Sequence, residues 1–349
     1  MSGKLRVGVI GAGRMGMIHG HLLQVYPETE LVGFVDPTPG LSGHLESQGL
    51  RAPVFPELEA LFQKAAPEAV FVCTPTHTHL PVVRACLARQ RPPHLFVEKP
   101  LATTRQDAEA ILKLASDAGV VHGSGYVYAH LPIVEKAKAL LAARLIGEPL
   151  RFNAHAYVSE VFGRKSGWFF QKSLSGGGVV ANMGSHLLFI LGWFFGPVRR
   201  VTASTWSHAT EVDDSAQALL AFANGTSGLL DTSWSMPGTQ MLSYGVTVAG
   251  RLGTLVMQRE RILLHLLQAA PGFEAGWSEI HASELAADTA FDVSPHIGGE
   301  AFYRQLRSFV AGCRSGALPF SSLAEACNTQ RMIDAIYASA ASGQSVDVA

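Results

Sequence analysis

Two polar side chains, Asn182 and His186, stand four residues apart in the stretch GGGVVANMGSH. Positions with this spacing share one face of a helix, so a helix that starts here would present both side chains together. Imidazole titrates near neutral pH and can therefore take a proton from a hydroxyl group. The glycines before the pair are costly to order, which indicates that another group comes close to the backbone. From this pattern alone His186 is either a general base or a buried histidine without a ligand.

A glycine-rich stretch, GAGRMG, follows the β-rich run LRVGVI and begins at Gly11. Gly11 suits a tight turn, Gly13 lets backbone approach a pyrophosphate, and Gly16 permits close packing of a helix on a strand. Asp36 ends the next β-rich run, where a carboxylate can accept hydrogen bonds from a ribose diol. Asp36 would repel a 2′-phosphate, so we predict NAD as the cofactor, while Arg14 leaves NADP possible. The cofactor-binding residues expected from this motif are Gly11, Gly13, Arg14, Met15, Gly16 and Asp36.

Two further polar stretches, CTPTHTH and VEKP, each end a β-rich run. Ligands in open α/β sheets bind beyond the carboxyl ends of the strands, so these residues are predicted to border the cofactor. The charge of Lys99 needs a partner or ligand if it is buried, the alternative being an exposed lysine that begins a loop, and the bond before Pro100 is a usual place for a cis peptide. His77 and His79 lack a carboxylate or cysteine at a useful spacing, so no metal site is predicted. The cofactor-binding residues expected here are Thr74, Pro75, Thr76, His79, Glu98 and Lys99.

Length and composition narrow the class of protein. The chain has 349 residues, of which 48% are hydrophobic and 16% charged, which is typical of a globular protein with two domains. Lys plus Arg number 27 against 28 Asp plus Glu, without long runs of either sign, so binding to nucleic acid or an anionic membrane is not expected. We expect neither a leader nor a membrane span, and the four cysteines lack disulfide or metal spacing. These features predict a cytoplasmic protein with a small-molecule partner.

The pattern of apolar runs predicts an α/β protein with two domains. Residues 1–125 alternate β-rich runs with helical patterns near 14–25, 57–65, 79–90 and 104–118, which is typical of a doubly wound parallel sheet of the Rossmann type. Residues 126–349 are predicted to form the substrate-binding and oligomerisation domain, with a large, mostly antiparallel open sheet and a hairpin at Asn224–Gly225. Its C-terminal helices, roughly 299–341, are free to pack back on the first domain. The stretch from about 271 to 298 is predicted to be a long loop.

The order of these motifs resembles that of the glucose–fructose oxidoreductase and inositol dehydrogenase (Gfo/Idh/MocA) family of NAD(P)-dependent enzymes. The resemblance rests on the GxGxxG strand and helix, a TPxxxH segment, the EKP tripeptide and the GGGxxx[DN]xGxH stretch, and it covers essentially the whole chain. It implies a Rossmann domain joined to an α/β domain whose open sheet makes dimer or tetramer contacts. It also implies hydride transfer between nicotinamide and a secondary alcohol or ketone of a sugar or cyclitol.

The resemblance assigns roles to three residues, which we predict to be catalytic. Lys99 falls on the lysine of EKP, His186 on the catalytic histidine, and Asn182 on a position that is usually acidic. His186 would take the alcohol proton and Lys99 would stabilise the developing alkoxide. The glycines would let backbone pass close to the nicotinamide or the substrate.

The sequence departs from the family pattern around the expected substrate pocket. Asn182 replaces an acid, Phe169 a frequent arginine, and Phe189 a common aspartate, while GYVYAH replaces the usual residues after Tyr126. An amide carries no charge, so the net charge of the site would be about one elementary charge more positive than with an acid at this position. Such a site would suit an anionic or more apolar substrate. The substrate is expected to be a polyol, sugar or hydroxy acid. The substrate-binding residues expected are Tyr126, Trp168, Phe169 and Asn182, with core packing as the alternative for the aromatic rings.

Three functional classes are compatible with these motifs. The leading one is a dehydrogenase or reductase that acts on CH–OH groups. The second is a lyase or glycoside hydrolase that uses tightly bound NAD for transient oxidation, in which case net NADH does not accumulate. The third is a non-catalytic nucleotide-binding sensor. The resemblance favours the first class, as a homodimer or homotetramer.

Overall fold

A computed structural model describes residues 3–161, 166–208, 210–285 and 299–348. The chain divides into two compact units. The first comprises Met1–Val127 and Thr289–Cys327, and the second comprises Tyr128–Asp288 and Asn328–Ala349. Part of the C-terminal segment therefore belongs to the first unit.

The described residues form ten α-helices. Their bounds are α1 (Arg14–Val25), α2 (Leu41–Ser47), α3 (Leu58–Ala65), α4 (His79–Leu87), α5 (Arg105–Asp117), α6 (Pro132–Ala142), α7 (Lys172–Ser175), α8 (Ser185–Phe195), α9 (Glu300–Ser315) and α10 (Leu323–Ser342). The helices predicted in the first 125 residues and the helical C-terminal segment are confirmed. Helix α2 was missed because its seven residues, LSGHLES, include a glycine and bury only Leu45, so they carry little apolar periodicity.

The first unit is built on a six-stranded, wholly parallel sheet in the order β3-β2-β1-β4-β5-β6. This confirms the predicted Rossmann sheet. The central strands are buried along nearly their whole length, as expected for parallel strands that are covered on both faces. The strands are β1 (Leu5–Ile10), β2 (Thr29–Val35), β3 (Val54–Phe55), β4 (Ala69–Val72), β5 (His94–Val97) and β6 (His122–Ser124).

The second unit contains a nine-stranded sheet in the order β14-β13-β12-β11-β7-β10-β9-β8-β15. Every neighbouring pair is antiparallel except β7 and β10, so the predicted mostly antiparallel sheet is confirmed. The predicted hairpin at Asn224–Gly225 joins β9 to β10. The strands are β7 (Pro149–Tyr157), β8 (Val198–Trp206), β9 (Ser215–Phe222), β10 (Ser227–Ser233), β11 (Ser243–Gly250), β12 (Gly253–Gln258), β13 (Arg261–Leu266), β14 (Gly276–His281) and β15 (Val346–Asp347).

Strand β14 falls within the stretch that was predicted to be a long loop, and that prediction is wrong for its first part. The sequence GWSEIH pairs with β13 and alternates between half-buried and exposed residues, so no strongly buried position marks it as a strand. Residues 286–298, the rest of the predicted loop, lie outside the described residues.

One helical stretch among the described residues, Lys172–Phe195, is long and apolar enough to cross a membrane by length and composition alone. However, 83% of its apolar 18-residue segment is buried inside the structure. Its side chains pack within the second unit, and an apolar helix in a protein core passes the same test. Its burial accounts for its composition.

Aromatic rings join helix α9 to the sheet of the first unit. Phe71 on β4 and Phe96 on β5 stack with their ring centroids 4.4 Å apart. Phe309 of α9 meets both rings edge-on, with centroid distances of 5.4 and 5.6 Å. All three rings are buried, so α9 is part of this core.

Replacing Phe309 with Ala should lower the free energy of unfolding of the first unit by about 3–5 kcal/mol, because it deletes a buried ring and leaves a cavity. Urea denaturation, monitored by far-UV circular dichroism, measures the change. Leu318→Ala is the matched control, since Leu318 is 53% exposed and its loss should change stability by less than about 0.5 kcal/mol. Equal effects of the two variants would contradict the packing role of Phe309.

Candidate functional site

The glycine loop between β1 and α1 combines tight internal packing with one open position. Gly11 has φ of +91°, and a Cβ at this residue would lie 2.9 Å from the backbone of Cys73. A Cβ at Gly16 would collide with the carbonyl oxygen of Gly11. At Gly13, by contrast, a Cβ would meet nothing within 4 Å. The turn therefore packs on the end of β4, while its outer side leaves room for a ligand.

The same loop delivers the N-terminus of α1 to this open position. Gly13 is the residue before the helix, no side chain caps the helix, and its first turn carries no acidic residue. Arg14 is exposed and Met15 is partly buried on that turn. Unsatisfied N–H groups and the helix dipole attract anions. The residues present therefore fit a dinucleotide pyrophosphate.

Asp36 follows β2 and forms a hydrogen bond to the glycine loop. Its carboxylate accepts hydrogen bonds from the backbone N–H of Ala12 (2.9 Å) and from that of Thr38 (3.0 Å). Partial burial alone would raise the pKa of Asp36, but the hydrogen bonds from Ala12 and Thr38 outweigh burial and hold the pKa below its usual value. Asp36 therefore carries a negative charge beside the loop at neutral pH.

The segment after β4 is held by hydrogen bonds among its own residues. The Thr78 hydroxyl lies 2.7 Å from both the Thr74 hydroxyl and the Pro75 carbonyl. The buried His79 ring lies between two carbonyl oxygens, those of Thr74 (2.9 Å) and Leu101 (3.0 Å), and burial lowers its pKa. The ring thereby ties the end of β4 to the loop after β5. Contact of His79 with a cofactor stays a prediction.

Thr76 is buried in the same segment. Its hydroxyl has no hydrogen-bond partner among the residues that the structure describes. A buried hydroxyl without a partner is costly, and a bound polar ligand would satisfy it. This observation supports the predicted place of Thr76 beside the cofactor.

Glu98 and Lys99 follow β5 directly. The Glu98 carboxylate is buried, contacts Nε2 of His19 at 2.7 Å, and accepts a hydrogen bond from the backbone N–H of Lys99 (3.1 Å). His19 lies on α1 and was missed by the sequence analysis; its position three residues after Gly16, on the same buried helix face, was the available signal. The Lys99–Pro100 bond is cis, as the motif indicated.

The Lys99 side chain has an unusual pKa for a lysine. Burial lowers its pKa to about 8, against the opposing effect of the neighbouring Glu98 charge. Lys99 therefore changes charge within the working range of an enzyme and can donate a hydrogen bond to a developing alkoxide below that pH.

Asn182 and His186 lie on one continuous helical stretch that begins differently from the prediction. Val180–Gly184 form a π-helical turn, in which the Gly184 N–H donates to the Val179 carbonyl (2.7 Å), and α8 follows. Asn182 lies on this turn and is partly buried, and His186 is the second residue of α8. Single π turns are frequent at functional sites.

The His186 imidazole is part of a stack of rings. It is buried and stacks on the Tyr128 ring with centroids 4.3 Å apart and planes 24° apart. Tyr128 in turn stacks on Tyr244 at 5.6 Å, and burial raises the pKa of Tyr244 above its usual range. Tyr128 is therefore a residue of the candidate site that the sequence analysis missed.

The three aromatic residues predicted to bind substrate have different environments. Tyr126 belongs to the first unit and is fully buried, which favours core packing for this ring. Trp168 is 36% exposed, while Phe169 packs against Phe170 with ring centroids 4.2 Å apart. A role for Trp168 and Phe169 in substrate binding stays a prediction.

The glycines before Asn182 are approached by protein groups. A Cβ at Gly178 would collide with the backbone of Asp213, and one at Gly177 with the Tyr337 hydroxyl. Gly176, with φ of +79°, ends α7. The close approach at Gly177 and Gly178 is thus an internal contact of the second unit, and a contact of these glycines with nicotinamide or substrate stays a prediction.

The structure thus gathers the predicted residues into two sets. The first unit holds the glycine loop, Asp36, Thr74–Thr76 and Glu98–Lys99 around the carboxyl ends of its parallel strands. The second unit holds Asn182 and His186, and the His186 ring stacks on that of Tyr128. Among the described residues, no group of three or more His, Cys, Asp or Glu side chains could hold a metal ion.

Comparison with known proteins identifies the class. The NAD-binding Rossmann-fold model of the oxidoreductase family Gfo/Idh/MocA matches residues 5–126, and the model of the Gfo/Idh/MocA C-terminal domain matches residues 134–256. These matches cover more than half of the chain. The protein belongs to this family of NAD-binding oxidoreductases.

Particular relatives are similar over most of the chain. Levoglucosan dehydrogenase from Pseudarthrobacter phenanthrenivorans is 24% identical over 74% of each chain. D-xylose 1-dehydrogenase (NADP(+)) 2 from Haloferax volcanii is 26% identical over 83% of each chain. A solved levoglucosan dehydrogenase in complex with NADH and levoglucosan aligns with a TM-score of 0.87 over 99% of both chains at 22% identity, which shows the shared fold.

Replacing Asp36 with Asn should shift cofactor preference toward NADP. The amide keeps an oxygen for the Ala12 N–H but removes the charge that repels a 2′-phosphate, so the ratio of the NADP to the NAD dissociation constant should fall by about tenfold or more, equivalent to about 1.4 kcal/mol. Titration of each cofactor against protein fluorescence measures both constants. Glu46→Gln, which removes an exposed charge from the same unit, is the control. An unchanged ratio in Asp36→Asn would contradict the role of this carboxylate.

Lys99 should lose its proton near pH 8 in the protein without cofactor. Amines react with acetic anhydride only when neutral, so competitive labelling followed by peptide mass spectrometry should give a midpoint of about 8 for Lys99. Lys113, whose side chain is 74% exposed, is the internal reference for a solvent-accessible lysine. Coincident profiles for the two lysines would contradict the effect of burial on Lys99.

Proposed function

We propose that the protein is an NAD-dependent dehydrogenase or reductase that acts on a secondary alcohol or ketone of a sugar, cyclitol or related hydroxyl compound. The observation that carries the proposal is the combination, in one chain, of a dinucleotide loop followed by Lys99 and a buried imidazole at His186. These are the groups that hydride transfer to or from an alcohol requires.

The cofactor would be held by residues of the first unit. Gly11, Gly13 and Gly16 with the N-terminus of α1 would receive the pyrophosphate, and the charge of Asp36 favours NAD over NADP. Thr74, Pro75 and Thr76 would border it at the end of β4. When bound, NAD supplies the hydride acceptor.

The proton chemistry belongs to the chain itself. In the oxidation direction His186 would take the hydroxyl proton, since a neutral imidazole is a base suited to neutral pH. Lys99 would donate a hydrogen bond to the same oxygen and stabilise the negative charge that develops on it. Asn182 would orient the substrate with its amide, which can both donate and accept hydrogen bonds.

The substrate is proposed to be a polyol, sugar or hydroxy acid. The relatives named above include dehydrogenases of levoglucosan and D-xylose. With Asn182 the net charge of the site is about one elementary charge more positive than it would be with an acidic residue. This favours anionic or more apolar members of this class. Trp168 and Phe169 would offer apolar surface to such a substrate.

We further infer a homodimer or homotetramer in the cytoplasm. Large apolar side chains project from the sheet of the second unit: Leu219 on β9 is 54% exposed and Trp277 on β14 is 64% exposed. Leu219 and Trp277 are the side chains that we expect a contact with another chain to cover.

Replacing His186 with Ala should lower turnover by about 10²–10⁴-fold and leave the dissociation constant of NAD within about twofold, because the imidazole serves the proton transfer and not the cofactor. The assay is absorbance of reduced nicotinamide while the protein and NAD or NADP are offered sugars, uronates, cyclitols and their keto forms. His281→Gln is the control, since this side chain is half exposed in the same unit.

Each result of this assay has a defined meaning. A signal in the wild type and in His281→Gln, but not in His186→Ala, supports a dehydrogenase. Equal turnover in His186→Ala removes this residue from the mechanism. Substrate loss without net NADH would favour the lyase or hydrolase that uses bound NAD transiently, and bound cofactor without any turnover would favour a sensor.

A further inference from the structure

One buried residue, Asp213, accepts hydrogen bonds from the backbone N–H groups of three successive residues shortly before Asn182, two through its carboxylate and one through its backbone carbonyl. Asp213 lies between β8 and β9 and is 7% exposed. Its Oδ1 accepts from the Gly178 N–H (2.6 Å) and its Oδ2 from the Val180 N–H (2.9 Å). Its backbone carbonyl accepts from the Val179 N–H between them (2.7 Å).

This arrangement replaces a local helix cap. The first N–H groups of a helix have no partner within it, and a Ser, Thr, Asp or Asn directly before the helix usually supplies one. Val179 holds that place here and has no such side chain. Asp213, which lies 35 residues after Gly178, supplies the missing acceptor. Its negative charge suits the positive end of the helix dipole.

The glycines are what allows Asp213 to come so close. A Cβ at Gly178 would overlap the backbone of Asp213, so only glycine fits there. Tyr337 of α10 completes the contact, because its hydroxyl donates to Oδ1 of Asp213 (2.8 Å). Burial, together with the Asp213 charge, raises the pKa of Tyr337 well above its usual range, so the hydroxyl stays a donor.

The contact fixes the turn that carries the candidate catalytic side chains. Val180, whose N–H is bound to Asp213, is the first residue of the π turn, and the Asn182 N–H donates to the Gly178 carbonyl (2.9 Å). The two residues that anchor the turn, Gly178 and Val180, thus both donate a hydrogen bond to the Asp213 carboxylate. The position of Asn182, and of His186 one turn later, follows from that anchoring.

We propose that Asp213, supported by Tyr337, is a positioning residue that sets the placement of Asn182 and His186 for the reaction, an inference that rests on the proposed function. Asp213 does not touch the reacting atoms in this account. Its effect is therefore expected on kcat, since misplacement of catalytic groups by about 1 Å can cost about 10²-fold in rate.

The test compares Asp213→Asn and Tyr337→Phe with wild type. Asn keeps the size of Asp but turns an NH₂ group toward a backbone N–H, whereas Phe removes a single hydrogen bond. We expect kcat to fall about 10²-fold in Asp213→Asn and about tenfold in Tyr337→Phe, with the NAD dissociation constant within about twofold of wild type. Asp231→Asn, which neutralises a partly buried carboxylate on β10 of the same unit, should keep the wild-type kcat.

A purely structural role is separated by two further readouts. Thermal unfolding shows whether each variant is folded at the assay temperature, and the pH profile of kcat shows whether the proton transfer proposed for His186 has changed. Wild-type kcat and pH profile in a folded Asp213→Asn would overturn the inference. If that variant does not fold, Tyr337→Phe decides in the same way.

Failure of the proposed function would be visible separately. If wild-type protein turns over nothing in the substrate panel, the proposed function fails, and the crystal structures of wild type and Tyr337→Phe then test the positioning. An unchanged backbone at Val180–Gly184 and an unchanged His186 ring would overturn the inference, and a displaced turn would support it.

Discussion

A buried hydrogen bond between His19 and Glu98 is the constraint on which the first unit depends. A carboxylate taken out of water needs a partner, and His19 provides it at 2.7 Å from helix α1. The His19 ring is itself enclosed by aromatic rings, with the centroids of Phe71 and Phe96 at 5.0 and 5.2 Å. The pair therefore links helix α1, which follows the glycine loop, to the end of β5, where Lys99 leaves the strand.

Other features of the first unit follow from this buried pair. The second carboxylate oxygen accepts the Lys99 backbone N–H, which fixes where the lysine leaves the strand. Gly125 must be a glycine, because a Cβ there would lie 2.7 Å from the Glu98 carboxyl carbon. The Glu98 charge also opposes the loss of the Lys99 proton that burial favours. Glu98 thus contacts helix α1 through His19 and the start of the Lys99 residue through its backbone N–H.

Much of the fold was predictable because its signals are local. Gly11, Gly13 and Gly16 mark the loop by their spacing, and the alternation of apolar runs predicts the parallel sheet and the helices that follow it. Strand β14 was not predictable, since its residues are half-buried or exposed and its pairing with β13 supplies what its sequence lacks. The candidate catalytic residues were found from a short motif, whose spacing does not reveal the π turn.

The parts that sequence reasoning missed depend on contacts between distant residues. The glycines before Asn182 signalled a close approach, but the sequence does not show that the approaching groups are Asp213 and Tyr337. Likewise Tyr126 and Tyr128 are two residues apart and chemically alike, and only burial and the stack on His186 distinguish them. The sequence also does not show that Glu98 pairs with His19, which lies in another element, and contact of Glu98 with the cofactor stays a prediction.

The proposed reaction is direct hydride transfer between a carbon of the substrate and NAD. The most direct measurement is mass spectrometry of the nicotinamide cofactor after wild-type protein and NAD have been incubated with D-xylose, levoglucosan and myo-inositol that carry deuterium on every carbon. Direct transfer of deuteride should give NADH one mass unit heavier than normal with at least one of these compounds. NADH without deuterium, or no reduced cofactor with these or the wider panel of sugars and uronates, would contradict it.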